Sequence, residues 1–190
     1  MFLLNKIVFT DSFYYIILSN KFSYDRILDF ISLNKNIQWI SYIFFPILFT
    51  IRIFCISVII FIGIKLFEID IILSNCFKVV LLAEIISLFA SITRTLYFYI
   101  YQPSNLEELQ FFNPLGLSIF LKIDTIPKYL LYPIQQLNLF EVGYFLLLAY
   151  GIKINGKINY KMALQITSLS YGVGLAIWCI FIVFFQLQFS

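Results

Sequence analysis

Four charged side chains stand inside otherwise apolar stretches of this chain: Arg52, Glu84, Arg94 and Glu141. Near the centre of a bilayer a charge costs roughly 2.5–3.5 kcal/mol on insertion scales, so each needs an opposite charge, a water-filled cavity or a route to the interface. Two are positive and two negative, and Arg52 is placed to reach Glu84 or Glu141 from a neighbouring helix. Such pairing would fix helix register. The other uses of such charges are a proton or ion pathway and contact with a charged residue of another subunit. Arg94, like Lys78 at the other end of the same stretch, lies nearer the interface and can extend its stem toward headgroups. Gln135, Asn138 and Glu141 follow one another at a spacing of three, a polar strip running inward. With Glu84 they form the best candidate for a functional site.

A pair of carboxyl groups can serve as general acid and base, but no nucleophile or set of metal ligands accompanies this one. The chain has no His, which removes His-containing triads, His-ligated haem and most zinc sites. Cys55, Cys76 and Cys179 are isolated, with no metal or redox spacing, and read as inert buried packing residues. Gly172-x-Gly174 lies in an apolar stretch with no strand before it, so it is not a phosphate loop. The expectation is a protein without catalysis, metal or cofactor.

The elements that must hold these residues are set by composition. Hydrophobic residues make up 62% of the 190, charged residues 12%, and mean hydropathy is +0.94. Soluble domains have roughly 45–50% apolar and 25% charged residues. The apolar surplus comes in blocks long enough to cross a bilayer, so lipid is part of the solvent. The net charge of +3 is spread over the loops, and no basic run could follow a phosphate backbone, so nucleic acid is not an expected partner. The wealth of Phe and Tyr, with abundant Ile, Asn and Lys, fits a genome rich in A and T.

The pattern predicts an all-α polytopic transmembrane bundle of four spans, at about 37–66, 73–101, 128–152 and 162–189. Trp39, Tyr42 and the Tyr97–Tyr101 cluster sit where aromatic anchors belong. Residues 115–121 are apolar but too short to cross, and read as an interfacial or re-entrant turn buried against protein. Residues 1–36 form an N-terminal segment, and 37–190 the bundle. After Ser23, Ile27, Leu28 and Ile31 oppose Asp25, Arg26 and Asp29, as in a short amphipathic helix lying on the membrane or on a partner. Lys6 precedes only three apolar residues before Thr10 and Asp11, so no cleavable signal peptide is expected. The Lys and Arg bias favours both termini in the cytoplasm. No internal repeat or inverted symmetry is present, which counts against the common secondary-transporter architectures.

Small residues mark the expected helix contacts. Ala83, Ser87 and Ser91 recur at four-residue spacing, and Glu84, Ser87, Ser91 and Thr95 share one side of the second span. The fourth span carries Ser168-x-x-x-Gly172, Ser170-x-x-x-Gly174 and Gly172-x-x-x-Ala176. Such stripes let backbones approach in lipid.

Two stretches, Tyr132-Pro133-Ile134-Gln135-Gln136-Leu137-Asn138-Leu139-Phe140-Glu141 and Ser170-Tyr171-Gly172-Val173-Gly174-Leu175-Ala176-Ile177-Trp178, resemble the Yip family of small polytopic membrane proteins in its Bacteroidota form. Members generally have about five spans. The resemblance covers mainly the last third of the chain, carries over no catalytic residue, and implies a membrane protein that works through protein contacts. The leading expectation is therefore a subunit or scaffold of the bacterial cytoplasmic membrane, touching lipid and other integral membrane proteins, with a homo-oligomer as one arrangement. The alternatives are a small proton- or ion-coupled transporter or channel component using Glu84 and Glu141, and a subunit of a respiratory complex in an organelle inner membrane.

Overall fold

The computed structural model describes residues 23–101, 113, 115–121 and 126–188, without the side chains of Asn34, Lys35, Gln38 and Ser118. Expectations that fall on residues 1–22 lie outside the described residues. The regular elements named here are all helical.

Helix α1, Tyr24–Leu66, is unbroken for 43 residues, about 65 Å at roughly 1.5 Å each. The amphipathic segment is thus not a separate helix, and the expected boundary at 36/37 falls inside α1. No Gly or Pro interrupts residues 24–45, so nothing stops the helix from running on into the apolar block. Ile27 and Ile31 are buried, but Leu28 is exposed, so the apolar stripe is narrower than the sequence suggests. Pro46 lies within α1, and the Thr50 hydroxyl donates to its carbonyl at 2.8 Å.

Helix α2, Leu73–Ile100, returns after a turn in which Glu68 adopts φ 58° and Lys65 pairs with Asp70 at 3.2 Å. A 3-10 turn, Leu117–Ile119, precedes α3, Lys128–Gln136. Helix α4, Leu139–Gly156, and helix α5, Tyr160–Gln188, complete the bundle. The turn between α4 and α5 puts Lys157, not Gly156, in the left-handed region at φ 50°. Asn159 then caps α5 by accepting from the Met162 N–H at 2.7 Å. Gly156 matters for space instead: a Cβ there would meet Ile71 at 3.2 Å and Ile69 at 3.3 Å. The two turns therefore share one end of the bundle.

Among the described residues, three helices are long and apolar enough to cross a membrane: Trp39–Leu66, Leu73–Ile100 and Tyr160–Gln188. This is an all-α membrane protein, and its outward Phe44, Phe45, Leu88, Phe89, Ile180 and Phe184 form a surface suited to acyl chains. Hydroxyls within these helices donate back to carbonyls four residues earlier, as in Ser57 to Ile53, Thr95 to Ser91, Thr167 to Ala163 and Ser170 to Ile166. In hydrocarbon that is the nearest acceptor they have.

The expected third span is not one helix. Leu137 leaves helical geometry at ψ 79°, Asn138 is extended, and α3 and α4 are separate. The break is held by the segment at 115–117: the Leu117 N–H donates to the Leu137 carbonyl at 3.0 Å and the Leu139 N–H to the Leu115 carbonyl at 3.1 Å. Backbone groups freed by the break are satisfied by protein, the condition for irregular chain at membrane depth.

The apolar core lies among α1, α2, α4 and the first half of α5, with Ile60, Ile64, Val80, Leu148, Ile152 and Ile166 at its centre. Two glycines set its closest approaches. A Cβ on Gly63 would lie 2.5 Å from the Ser170 Cβ, and one on Gly151 would collide with Val79. Ser170 is the buried member of the fourth-span stripe, whereas Ser168 and Ala176 face outward and a Cβ on Gly172 would make only an ordinary contact, with the Thr167 carbonyl at 3.9 Å. Cys76 is buried, Cys179 half-buried and Cys55 exposed, so Cys55 is not a packing residue within this chain.

Candidate functional site

Glu84 projects from the inward face of α2 into the bundle and is only 2% exposed. Its Oε1 accepts from the Tyr144 hydroxyl of α4 at 3.2 Å and lies 3.6 Å from the Arg52 guanidinium of α1. Its Oε2 has no hydrogen-bond partner among the described residues. Arg52 therefore pairs with Glu84 rather than with Glu141. Its side chain is 49% exposed, so only part of the guanidinium is engaged. A buried carboxylate with one of two oxygens unmet is a costly arrangement in a medium of low dielectric.

Glu141 sits in the first turn of α4, and it accepts from the Tyr171 hydroxyl of α5. Tyr171 belongs to a π-helical turn, Ser168–Gly172, that interrupts α5. Hydroxyl donation from Thr167, Ser168 and Ser170 to earlier carbonyls competes with the backbone ladder there and accounts for the widened turn. The rings of Tyr144 and Tyr171 lie 5.4 Å apart, so the two phenol–carboxyl pairs are neighbours. Within this cluster one guanidinium faces two carboxyl groups.

Asn138 spans the helix break. Its amide donates to the last carbonyls of α3, Gln135 at 2.8 Å and Gln136 at 3.3 Å, while its Oδ1 accepts from the Glu141 N–H at 2.8 Å. Its role is to cap, and the Asn138-x-x-Glu141 spacing follows the pattern of a helix start.

Three cavities meet at Glu141. A polar one of about 280 Å³ is lined by Ser87, Ser91, Arg94, Gln135, Asn138 and Tyr144. A lateral one of about 670 Å³ lies between α1, α3 and α5 beside Arg52, Tyr132, Tyr171 and Trp178. An apolar one of about 860 Å³ lies beneath the turn at 115–120. Arg94 stands ten residues, about 15 Å, further along α2 than Glu84, with its guanidinium 5.8 Å from the Phe98 ring. Ala83 packs in the core, and Thr95 turns its hydroxyl to the helix backbone.

The structure thus gathers Arg52, Glu84 and Glu141 around two tyrosines, while Asn138 supports the backbone and Arg94 borders the polar cavity. Sequence reading passed over Tyr144 and Tyr171. The signal was present: a phenol one turn after Glu141, and another at mid-span, each needing a polar partner in an apolar surround. The two stretches of the family resemblance face each other, with Trp178 Nε1 donating to the Tyr132 hydroxyl at 2.9 Å and Tyr171 donating to Glu141. Compared with models of protein families, with curated proteins and with solved structures, the chain matches none.

Proposed function

We propose that the chain is a small integral membrane protein that binds and exchanges a proton or a cation at the Glu84–Glu141 pair, as a transporter or a component of one. One observation carries this reading: inside an apolar bundle, Glu84 and Glu141 stand in one cluster whose guanidinium, Arg52, pairs with Glu84 alone, and a Glu84 oxygen has no donor among the described residues. An excess negative charge in hydrocarbon is met by a proton or a bound cation. The helix break beside Glu141 supports it too, since interrupted helices place polar backbone and a helix N-terminus at membrane depth. In this reading α3 and α4 together form a fourth crossing, with residues 115–121 as a re-entrant turn against it. The apolar core between Glu84 and the two turns closes the site on that side.

Infrared difference spectroscopy of the purified chain in lipid, recorded across pH, tests the proposal. A carboxyl band that titrates in the wild type and vanishes in Glu141→Gln is expected. Identical difference spectra for the wild type and the Glu84→Gln/Glu141→Gln double variant would falsify it.

A second reading, a scaffold or subunit of the cytoplasmic membrane, is favoured by the first 15 residues of α1, 24–38, which run past Trp39 with Tyr24, Phe30 and Leu33 exposed. The resemblance to the Yip family belongs with this reading. A partner copurifying in mild detergent is its expected result, and a lone monodisperse chain counts against it.

A further inference from the structure

The lateral cavity combines features that the exchange of a proton alone does not require. Helices α1 and α5 touch at Gly63 and Ser170 and part further along, leaving about 670 Å³ between them. Its rim residues Leu48, Ile51 and Trp178 are exposed on the surface that faces lipid, so an occupant enters from the hydrocarbon. Apolar side chains make up most of the wall. The polar end holds Glu141 together with three aromatic residues, Tyr132, Tyr171 and Trp178. Aromatic faces attract organic cations, most strongly where water is excluded. Arg52 also borders this cavity, but its charge is opposed by Glu84 at 3.6 Å, which leaves Glu141 as the group that sets the sign of the site.

We propose that this cavity binds a lipophilic organic monocation from the membrane in exchange for the proton on Glu141. The inference rests on the proton- or cation-site reading and names its substrate class. The exchange balances: the cation enters from the lipid side, the Glu141 carboxyl gives up one proton, and the net charge of the cluster is unchanged. The proton has its own exit, because Glu141 also borders the polar cavity of Ser87, Ser91 and Asn138. The groups facing Glu141 are Arg52 from α1, Glu84 and Arg94 from α2, Tyr132 from α3, Tyr144 from its own helix, and Tyr171 and Cys179 from α5. Glu84 is held by Arg52 and Tyr144, so Glu141 is the carboxyl free to exchange its proton.

The probe is tetraphenylphosphonium, titrated calorimetrically into the full chain in mild detergent, with tetraphenylborate as the anion of matching shape. Binding should tighten as pH rises, with about one proton released per cation. Glu141→Gln should abolish it, and Trp178→Leu should weaken it about thirtyfold, the scale of a desolvated cation–aromatic contact. The pH dependence is read in the wild type, so the proposal stays testable if a variant fails to fold. It is overturned if tetraphenylphosphonium does not bind, if Glu141→Gln binds it equally well, or if tetraphenylborate competes for the same site. Absent binding with a titrating Glu141 carboxyl band sinks the organic cation and leaves the proton site standing; absence of both sinks the two together.

Discussion

At the scale of single residues, the two carboxyl groups are distinguished by their partners. Glu84 has a guanidinium and a phenol on one oxygen, whereas Glu141 has a phenol and a helix N-terminus. Removing the hydroxyl of Tyr144 strips Glu84 of its one hydrogen-bond donor among the described residues. Hydrogen bonds to charged groups contribute roughly 1.5–3 kcal/mol, so Tyr144→Phe should lower stability by about that much in detergent unfolding. A Tyr144→Phe variant as stable as the wild type would show that the buried carboxylate does not need this donor. The charges themselves were legible in the sequence because Arg52, Glu84 and Glu141 interrupt apolar runs. Their phenolic partners were not, because tyrosine is also a common interfacial anchor and the long-range pairings depend on helix rotation.

Among the elements, the spans at Trp39–Leu66, Leu73–Ile100 and Tyr160–Gln188 follow from apolar length alone, and the sequence reading placed their ends within two residues. The interruption at Leu137 was hidden because Pro133 and Gly143 flank the break at four and six residues' distance instead of marking it, and apolar length does not register a cap. The cue was Asn138 three residues before Glu141 and ahead of an apolar run, which is how a helix begins. Asn138→Ala should cost about 1 kcal/mol and speed hydrogen exchange at the Leu117 and Leu139 amides, which bond across the break. Unchanged exchange at both amides would mean that the strand-like pairing holds without the cap. The small-residue stripes were only partly informative, since Gly63 and Gly151, at the tightest crossings, belong to neither. Gly63→Ala must displace Ser170 and should destabilise by roughly 1–3 kcal/mol. Gly172→Ala meets nothing closer than 3.9 Å and should be tolerated, so thermal scans that reverse this order would refute the packing described.

The whole molecule is a bundle whose two turns lie at one end and whose polar site is reached from the other end or from the lipid. Lys65, Lys153, Lys157 and Lys161 all lie at or beside the turns, with Glu68 and Asp70. Cysteines introduced as Lys157→Cys and Asp25→Cys, in a background without the native thiols, should therefore react with an impermeant reagent from opposite sides of the membrane. Labelling of both from the same side would invert the arrangement of α1 against α4. Cluster composition matters at this scale as well, because the bundle must be stable with two carboxyl groups and one guanidinium at its centre. The most direct test compares the thermal stability of two variants in lipid nanodiscs at neutral pH. Glu141→Gln, which mimics the protonated Glu141 carboxyl and keeps an acceptor for Tyr171, should be at least as stable as the wild type. Arg52→Gln, which leaves the buried Glu84 without its cation, should lose roughly 3–5 kcal/mol. Equal losses for the two variants would contradict the account, because they would mean that Glu141 is needed as a charged group and does not hold an exchangeable proton.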